Sequence, residues 1–506
     1  MPNDPFLGSA SRVAGYQALI VRLGLESVPH WHRSSVATGG ARRLQVQDGV
    51  TDECYPSSYW PGDGLVDHLI FALKYDGVNL ALLHQVFARL NPSELAAVIR
   101  AKPTSKYNRR IWFLYEFLTG KMLDLEDASA GGYVDLLEAD RYVVAHPARQ
   151  MRRQRINDNL LGTVDFCPVV RRTPAISQAA QIDMTARCAD LAQGYPPDLL
   201  RRALSFLYTK ETKSSFEIER QKPSASRTER FITLLQLAEK EDFCTKQRFL
   251  ELQNRIVDPR FQDHDYRHNQ NYIGESVSWQ HERVHYVCPR PEDLPRLMAG
   301  LQAAHLRMEQ GCIHPVIHAA AIAYGFVFFH PFEDGNGRIH RFLIHNILAR
   351  RGYTPPGMIF PVSAAMLKSP QRYDASLEAF SKPILSLLDY ALDEEGQMTV
   401  YSQAAHLYAY PDMTAQAEAL FAFIEETAER ELVHELEFIT AYDEAKRGIQ
   451  DVVDLPDRSI DLFIRLCTQN HGKLSDRKRS AHFDVLTAEE IHAIERIVQG
   501  AFDDKA

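Results

Sequence analysis

Residues 330–341 read His330-Pro331-Phe332-Glu333-Asp334-Gly335-Asn336-Gly337-Arg338-Ile339-His340-Arg341. A histidine, two carboxylates, a Gly-Asn-Gly turn and two arginines thus fall between two apolar runs of helical spacing. Glycines admit positive φ, which lets successive backbone N–H groups converge on one point. A helix start just after them adds partial positive charge, so Gly335-Asn336-Gly337 has the makings of an anion site. Arg338 and Arg341, three residues apart, project on one side of that helix. Guanidinium groups there suit phosphate oxygens, which they grip in pairs. Asp334, beside the turn, is the ligand type that magnesium takes when it bridges polyphosphate oxygens. His330 is able to take a proton from a hydroxyl attacking phosphorus. Phe332 is expected to turn inward as an apolar anchor. Together these types and spacings point to chemistry on a magnesium-bound nucleotide.

Such groups need elements to hold them. Residues 314–329 carry an apolar helical run that ends at His330. Residues 337–349 carry the next, closed by Arg350, Arg351 and Gly352 as a helix C-terminus prefers. A further helix is expected over 294–308. Apolar residues alternate around Tyr272-Ile273-Gly274 and His285-Tyr286-Val287, which predicts a β-hairpin ended by Pro289 and Pro291. Helical spacing also marks 65–90, 111–123, 196–207, 231–252, 415–445, 460–466 and 487–501, the last opened by a Thr487/Glu490 capping box. Lys106 to Phe113 mixes bases with aromatics, and a helix start with core-facing rings is the plainer reading than a nucleic-acid surface. The expected fold is mainly α: a helical core with a short β-hairpin flap, an N-terminal domain and a helical C-terminal domain. The boundaries fall at 1–170 (mainly helical), 180–395 (the core) and 396–506, with 171–178 as a linker.

At 506 residues the chain exceeds a single ordinary core, so two or three domains are expected. Hydrophobic content of 45% and charged content of 24% belong to a soluble globular class. A net charge of −9 argues against bulk nucleic-acid binding. Lys473 to Phe483 is a local basic stretch, for which a solvated loop between helices is the commoner origin. The seven cysteines are scattered without a C-x-x-C pair, which suggests neither a disulfide framework nor a zinc cluster and fits a reducing compartment. The first residues lack the basic and apolar regions of a secretory signal, and the longest apolar run, 319–329, is too short to span a bilayer. A cytoplasmic protein is expected, with no membrane partner.

The motif matches the signature H-x-F-x-[DE]-G-N-G-R-x-x-R at every defined position, and residues 200–390 resemble the Fic domain family. That resemblance implies an all-helical core with a flap, and transfer of AMP from ATP to a protein hydroxyl with release of pyrophosphate. By position, His330 would be the general base and Asp334 the Mg2+ ligand. Gly335, Asn336 and Gly337 would cradle the α- and β-phosphates. Arg338 and Arg341 would hold the phosphate tail, Arg341 nearest the γ-phosphate. Tyr272, Ile273 and Gly274 would lie in the flap, at about 270–288, where a target peptide pairs by strand addition. The implied partners are ATP, Mg2+ and a target protein bearing a Ser, Thr or Tyr hydroxyl. Self-modification and pairing with a second copy stay open.

Many relatives also carry an inhibitory helix with the pattern [ST]-x-x-x-E-[GN]. Ser215 and Glu219 match it within an expected helix at about 211–222, while Arg220 stands where the small residue would be. Residues four apart share a helix face. A glutamate so placed would pair with Arg341, take the space of the γ-phosphate and leave ATP bound with its phosphates out of line for attack. Glu217 is the alternative if the register is displaced, and a capping serine with a surface ion pair is the plain one. Two other functions compete. Fic relatives also transfer UMP, phosphate or phosphocholine, but the intact Asp334 and Gly335 to Arg338 favour a nucleoside monophosphate. A silenced core could instead sense nucleotide for DNA- or partner-binding ends, against which the retained His330 speaks.

Overall fold

The computed structural model describes residues 11–47, 49–278 and 281–503. The first ten residues of the segment read for a signal, and residues 279–280 of the expected flap, lie outside the described residues. Among the described residues helices dominate, as the apolar spacing predicts, and four small sheets accompany them where the pattern had marked one hairpin. Among the described residues no helix is long and apolar enough to cross a membrane. The chain divides into two compact units, Met1–Ile182 with Lys240–Arg351 and Ser369–Phe421, and Asp183–Glu239 with Gly352–Lys368 and Ala422–Ala506.

The first unit is built around the helices Pro315–Phe329 and Asn336–Arg350. Every residue from Val316 to Phe329 is buried. A helix apolar all round must be enclosed on every side. Close approach is possible because Gly325 has no side chain: a Cβ there would lie 2.8 Å from both Leu301 Cδ1 and the Phe166 ring. Leu301 belongs to the neighbouring helix Leu294–Gln310, and the Phe166 ring stands edge-on to Phe329 at 5.3 Å. Towards the N-terminus a four-stranded sheet runs in the order Ser11–Ala14, His32–Ala37, Val50–Tyr55, Arg43–Gln47, with the middle pair parallel. Residues 65–90 are two α-helices rather than one, Leu65–Phe71 and Leu80–Arg89, separated by a wider turn over Ala72–Asp76. The break forms because buried Asp76 accepts the Tyr16 N–H (2.9 Å) and the Ser34 hydroxyl, while Asn79 caps the next helix through Leu82 N–H (3.0 Å).

The second unit centres on the long helix Pro197–Ile218. Arg202 pairs with Asp443 at 2.6 Å, and Lys210 with Glu431 at 2.6 Å and Glu435 at 2.7 Å, all three acids on or just before the helix Leu432–Val452. Glu211 accepts the Ser363 backbone N–H at 2.9 Å, at the start of the helix Val362–Lys368. Phe463, Phe483 and Ile494 lie at the core of the terminal helices Asp457–Thr468, Asp476–His482 and Ala488–Asp503. The run 231–252 is also broken, into Ala225–Leu237 of this unit and Lys246–Ile256 of the first. Thr245 caps the second of these, and Asp242 takes the Cys244 N–H (2.9 Å) in the turn before it.

Candidate active site

His330 ends the Pro315–Phe329 helix in the left-handed conformation, at φ 49° and ψ 58°. The following Pro331 disfavours the right-handed helical region for the residue before it, so the helix must stop here. His330 Nδ1 lies 3.3 Å from the Val327 carbonyl, a group that can only accept. In the neutral ring the proton therefore sits on Nδ1 and the lone pair on Nε2, the tautomer a base needs.

The loop after His330 folds back on itself through Asn336. Its Oδ1 accepts the Phe332 N–H at 3.1 Å and its Nδ2 donates to the Phe332 carbonyl at 2.7 Å. Phe332 is fully buried, as expected of an anchor, with Tyr266 and Phe326 as ring neighbours at 5.8 and 6.2 Å. Gly335 caps the Asn336–Arg350 helix at φ 93°, where a Cβ would meet Val257 Cγ1 at 3.0 Å. Gly337 lies inside that helix, so of the two glycines only Gly335 uses the left-handed region. The first intrahelical bond runs from Ile339 N–H to Gly335 O (3.0 Å), which leaves the amides of 336 to 338 in the position where a helix N-terminus receives an anion. Arg338 and Arg341 are both buried on this helix.

Asp334 Oδ1 accepts the Gly335 N–H and an Arg338 Nη2–H, each at 2.6 Å. Both bonds end on one oxygen, so Oδ2 remains the face available to a cation. Two partners of this loop carried no signal in the sequence. Gln253 Nε2 donates to Asp263 Oδ2 (3.0 Å) and Asp334 O (3.4 Å), and Asp263 also accepts the Glu333 N–H (3.3 Å). Burial, joined by the charge of Asp334, pushes the Asp263 carboxyl above its ordinary range.

The flap is a two-stranded hairpin, Tyr272–Ser278 against His281–Val287. Its register slips between Ile273 and Gly274, and a Cβ on Gly274 would come within 2.8 Å of Arg283 O, so the bulge requires glycine. Ile273 is exposed, while Tyr272 bonds to Glu282 through its hydroxyl. On the opposite strand Tyr286 is buried, its hydroxyl donating to Phe328 O at 2.5 Å.

Ser215 and Glu219 belong to the second unit, at the end of Pro197–Ile218. That helix stops at Ile218, short of the expected 222. Glu219 is its C-cap, and the next residues close the helix by two bonds, Gln221 N–H to Phe216 O (3.0 Å) and Arg220 N–H to Glu217 O (2.8 Å). This is a Schellman cap, with Arg220 in the left-handed position at φ 55°. The small residue of the inhibitory pattern thus has a conformational reason that Arg220 does not meet. Ser215 is buried, Glu219 half-buried and Glu217 exposed.

Asp242, Cys244 and His305 also place ligand-type atoms within 4.8 Å of one another. Their donor set does not fit a metal. Arg351 Nη1 faces His318 Nδ1 at 3.0 Å, and a guanidinium can only donate. His318 must then donate through Nε2 to His305 Nδ1 (3.0 Å), which leaves the proton of His305 on Nε2, pointing at Asp242 Oδ2 (3.4 Å). Burial alone would raise the Asp242 carboxyl, but His305, the Cys244 N–H and Arg350 outweigh it and bring it to about 2.

Residues 243–348 match the profile of the Fic/DOC family. The segment is similar to the protein adenylyltransferase Fic of Aedes aegypti, 36% identical over 122 residues, which is 24% of this chain and 22% of that one. The corresponding protein of Culex quinquefasciatus is 37% identical over 123 residues, again 24% and 22%. The chain thus spans about a fifth of the length of the curated relatives it matches. Among solved structures, a Fic family protein from Desulfovibrio desulfuricans aligns over 62% of this chain and 85% of its own, at 19% identity and a TM-score of 0.35. A Fic domain containing signaling protein from Bacteroides thetaiotaomicron aligns over 52% and 96%, at 18% and 0.34. The likeness to the Fic/DOC family thus rests on residues 243–348, which contain the motif.

Proposed function

We propose that the chain is a protein adenylyltransferase that moves AMP from ATP to a Ser, Thr or Tyr hydroxyl, with Glu219 as its brake. The observation that carries this reading is the pairing of His330, its lone pair on Nε2, with a helix N-terminus whose first turns hold the buried Arg338 and Arg341. Relatives similar over this segment bear the name protein adenylyltransferase. The acceptor oxygen attacks the α-phosphorus, the bond to the bridging oxygen breaks, and pyrophosphate leaves. His330 Nε2 takes the hydroxyl proton as the new bond forms. The amides of 336 to 338 and the two arginines bind the phosphates and fix their line of departure. Asp334, through Oδ2, would hold magnesium, which supplies neutralisation of phosphate charge.

The half-buried Glu219 suits the brake better than the exposed Glu217. Incubation with α-labelled ATP and magnesium tests both assignments. Glu219→Gly should raise self-labelling roughly tenfold or more, equivalent to ~1.4 kcal/mol of barrier. His330→Ala added to it should remove the label. Unchanged labelling in Glu219→Gly takes away the brake, and strong labelling in the double variant takes away the base.

A further inference from the structure

We propose that Arg267 is a positioning residue that fixes the base His330 and both ends of the flap in one frame, an inference that rests on the transferase reading above. Arg267 is 4% exposed. Its Nε donates to His330 O at 2.8 Å, its Nη1 to Asn269 O at 2.7 Å, and its Nη2 to Pro289 O at 2.6 Å and Phe329 O at 3.5 Å. Its backbone N–H donates to Pro331 O at 2.8 Å. Asn269 precedes the first flap strand and Pro289 follows the second. One planar group therefore joins the chain entering the flap, the chain leaving it and the helix end that carries the base.

Every acceptor is a backbone carbonyl, and among the described residues no carboxylate pairs with this cation. Enclosing a charge without a counter-charge is costly, so filling space is not its role: an apolar side chain would fill it at less cost. The carbonyls explain the arginine. Phe329 and His330 end the Pro315–Phe329 helix, where the last carbonyls lack helical partners and the helix dipole favours a cation. Lysine offers a single compact ammonium in place of a rigid fork, and so cannot reach three segments at once. Further bonds tie the same base: Gln270 Nε2 donates to Cys288 O (2.8 Å), and the Tyr286 hydroxyl to Phe328 O. A peptide paired with the flap would accordingly have its hydroxyl registered against His330 through Arg267, while nucleotide binding depends on the Asn336–Arg350 helix.

The experiment compares the Glu219→Gly full chain with the same chain carrying Arg267→Lys, given α-labelled ATP and magnesium. Protein-bound AMP, free AMP from attack by water, and the Kd for ATP are measured. Water needs no flap, so loss of registration should lower the ratio of bound to free AMP roughly tenfold, with the Kd unchanged. A merely structural role would reduce the active fraction and lower both products in proportion. An unchanged ratio therefore overturns the inference. If Arg267→Lys does not fold, Arg267→Gln, which keeps two donors, reads the same ratio. A parent that yields neither product removes the transferase reading, and this inference with it; a productive parent with an unchanged ratio removes this inference alone.

Discussion

At the scale of single residues, Asn336 shows a motif position whose side chain serves the loop. Its amide satisfies both backbone groups of buried Phe332, and in the proposed transferase only its backbone N–H at the helix start would face a phosphate. Asn336→Ala would leave that N–H and that carbonyl without partners in the core, at a cost of about 2–4 kcal/mol. The urea midpoint should fall accordingly, and a midpoint within error of the natural chain would show that water replaces the amide. The chemical types in the motif were legible because they lie within twelve consecutive residues. Arg267, Gln253 and Asp263 were not, because each acts from more than sixty residues upstream through backbone carbonyls or amides, which leave no mark on side-chain spacing.

Among elements, the cap of Pro197–Ile218 places a side chain where glycine fits best. A left-handed residue with a Cβ loses roughly 1–2 kcal/mol, part of which glycine returns through its freer unfolded chain. Arg220→Gly should therefore stabilise the chain by about 0.5–1 kcal/mol, and Arg220→Val should destabilise it. A fall in melting temperature for the glycine variant would mean that the Arg220 side chain contributes more than its conformation costs. The long helix itself was legible at its start, from the spacing at 196–207, whereas its end at Ile218 depends on a cap that spacing does not reveal. The small sheets were illegible for a different reason. Their strands have two to seven residues, several of them polar, and the parallel pair His32–Ala37 with Val50–Tyr55 joins segments with no shared turn. Breaks at Asp76 and Asp242 were hidden because carboxylates bonded to nearby backbone N–H groups interrupt otherwise apolar runs.

For the whole molecule, buried histidines set the response to acid. Burial pulls His30 and His340 down to about 3, and the half-buried His314 and His406 to about 4. In the unfolded chain each returns to an ordinary value near 6.5. Between the two values the unfolded state binds the proton and the folded state does not, so stability is complete above 6.5 and falls as pH drops. Each such group contributes a slope of roughly 1.4 kcal/mol per pH unit. His32 acts in the opposite sense: burial would lower it, but Asp76 at 3.2 Å and Glu53 at 3.0 Å raise it instead. Its stabilisation is full below 6.5 and is lost as pH rises through the folded value. The two windows meet near 6.5, so thermal stability should peak there and fall more steeply on the acid side, where several groups act together. His340→Phe should flatten the acid limb by one proton, since the ring at 340 packs edge-on against Tyr324 at 4.7 Å and an apolar ring can keep that contact. Melting temperatures from pH 4.5 to 9 on both chains provide the check. A natural chain that melts at the same temperature at pH 5 and 6.5 would show that these histidines take up protons without unfolding.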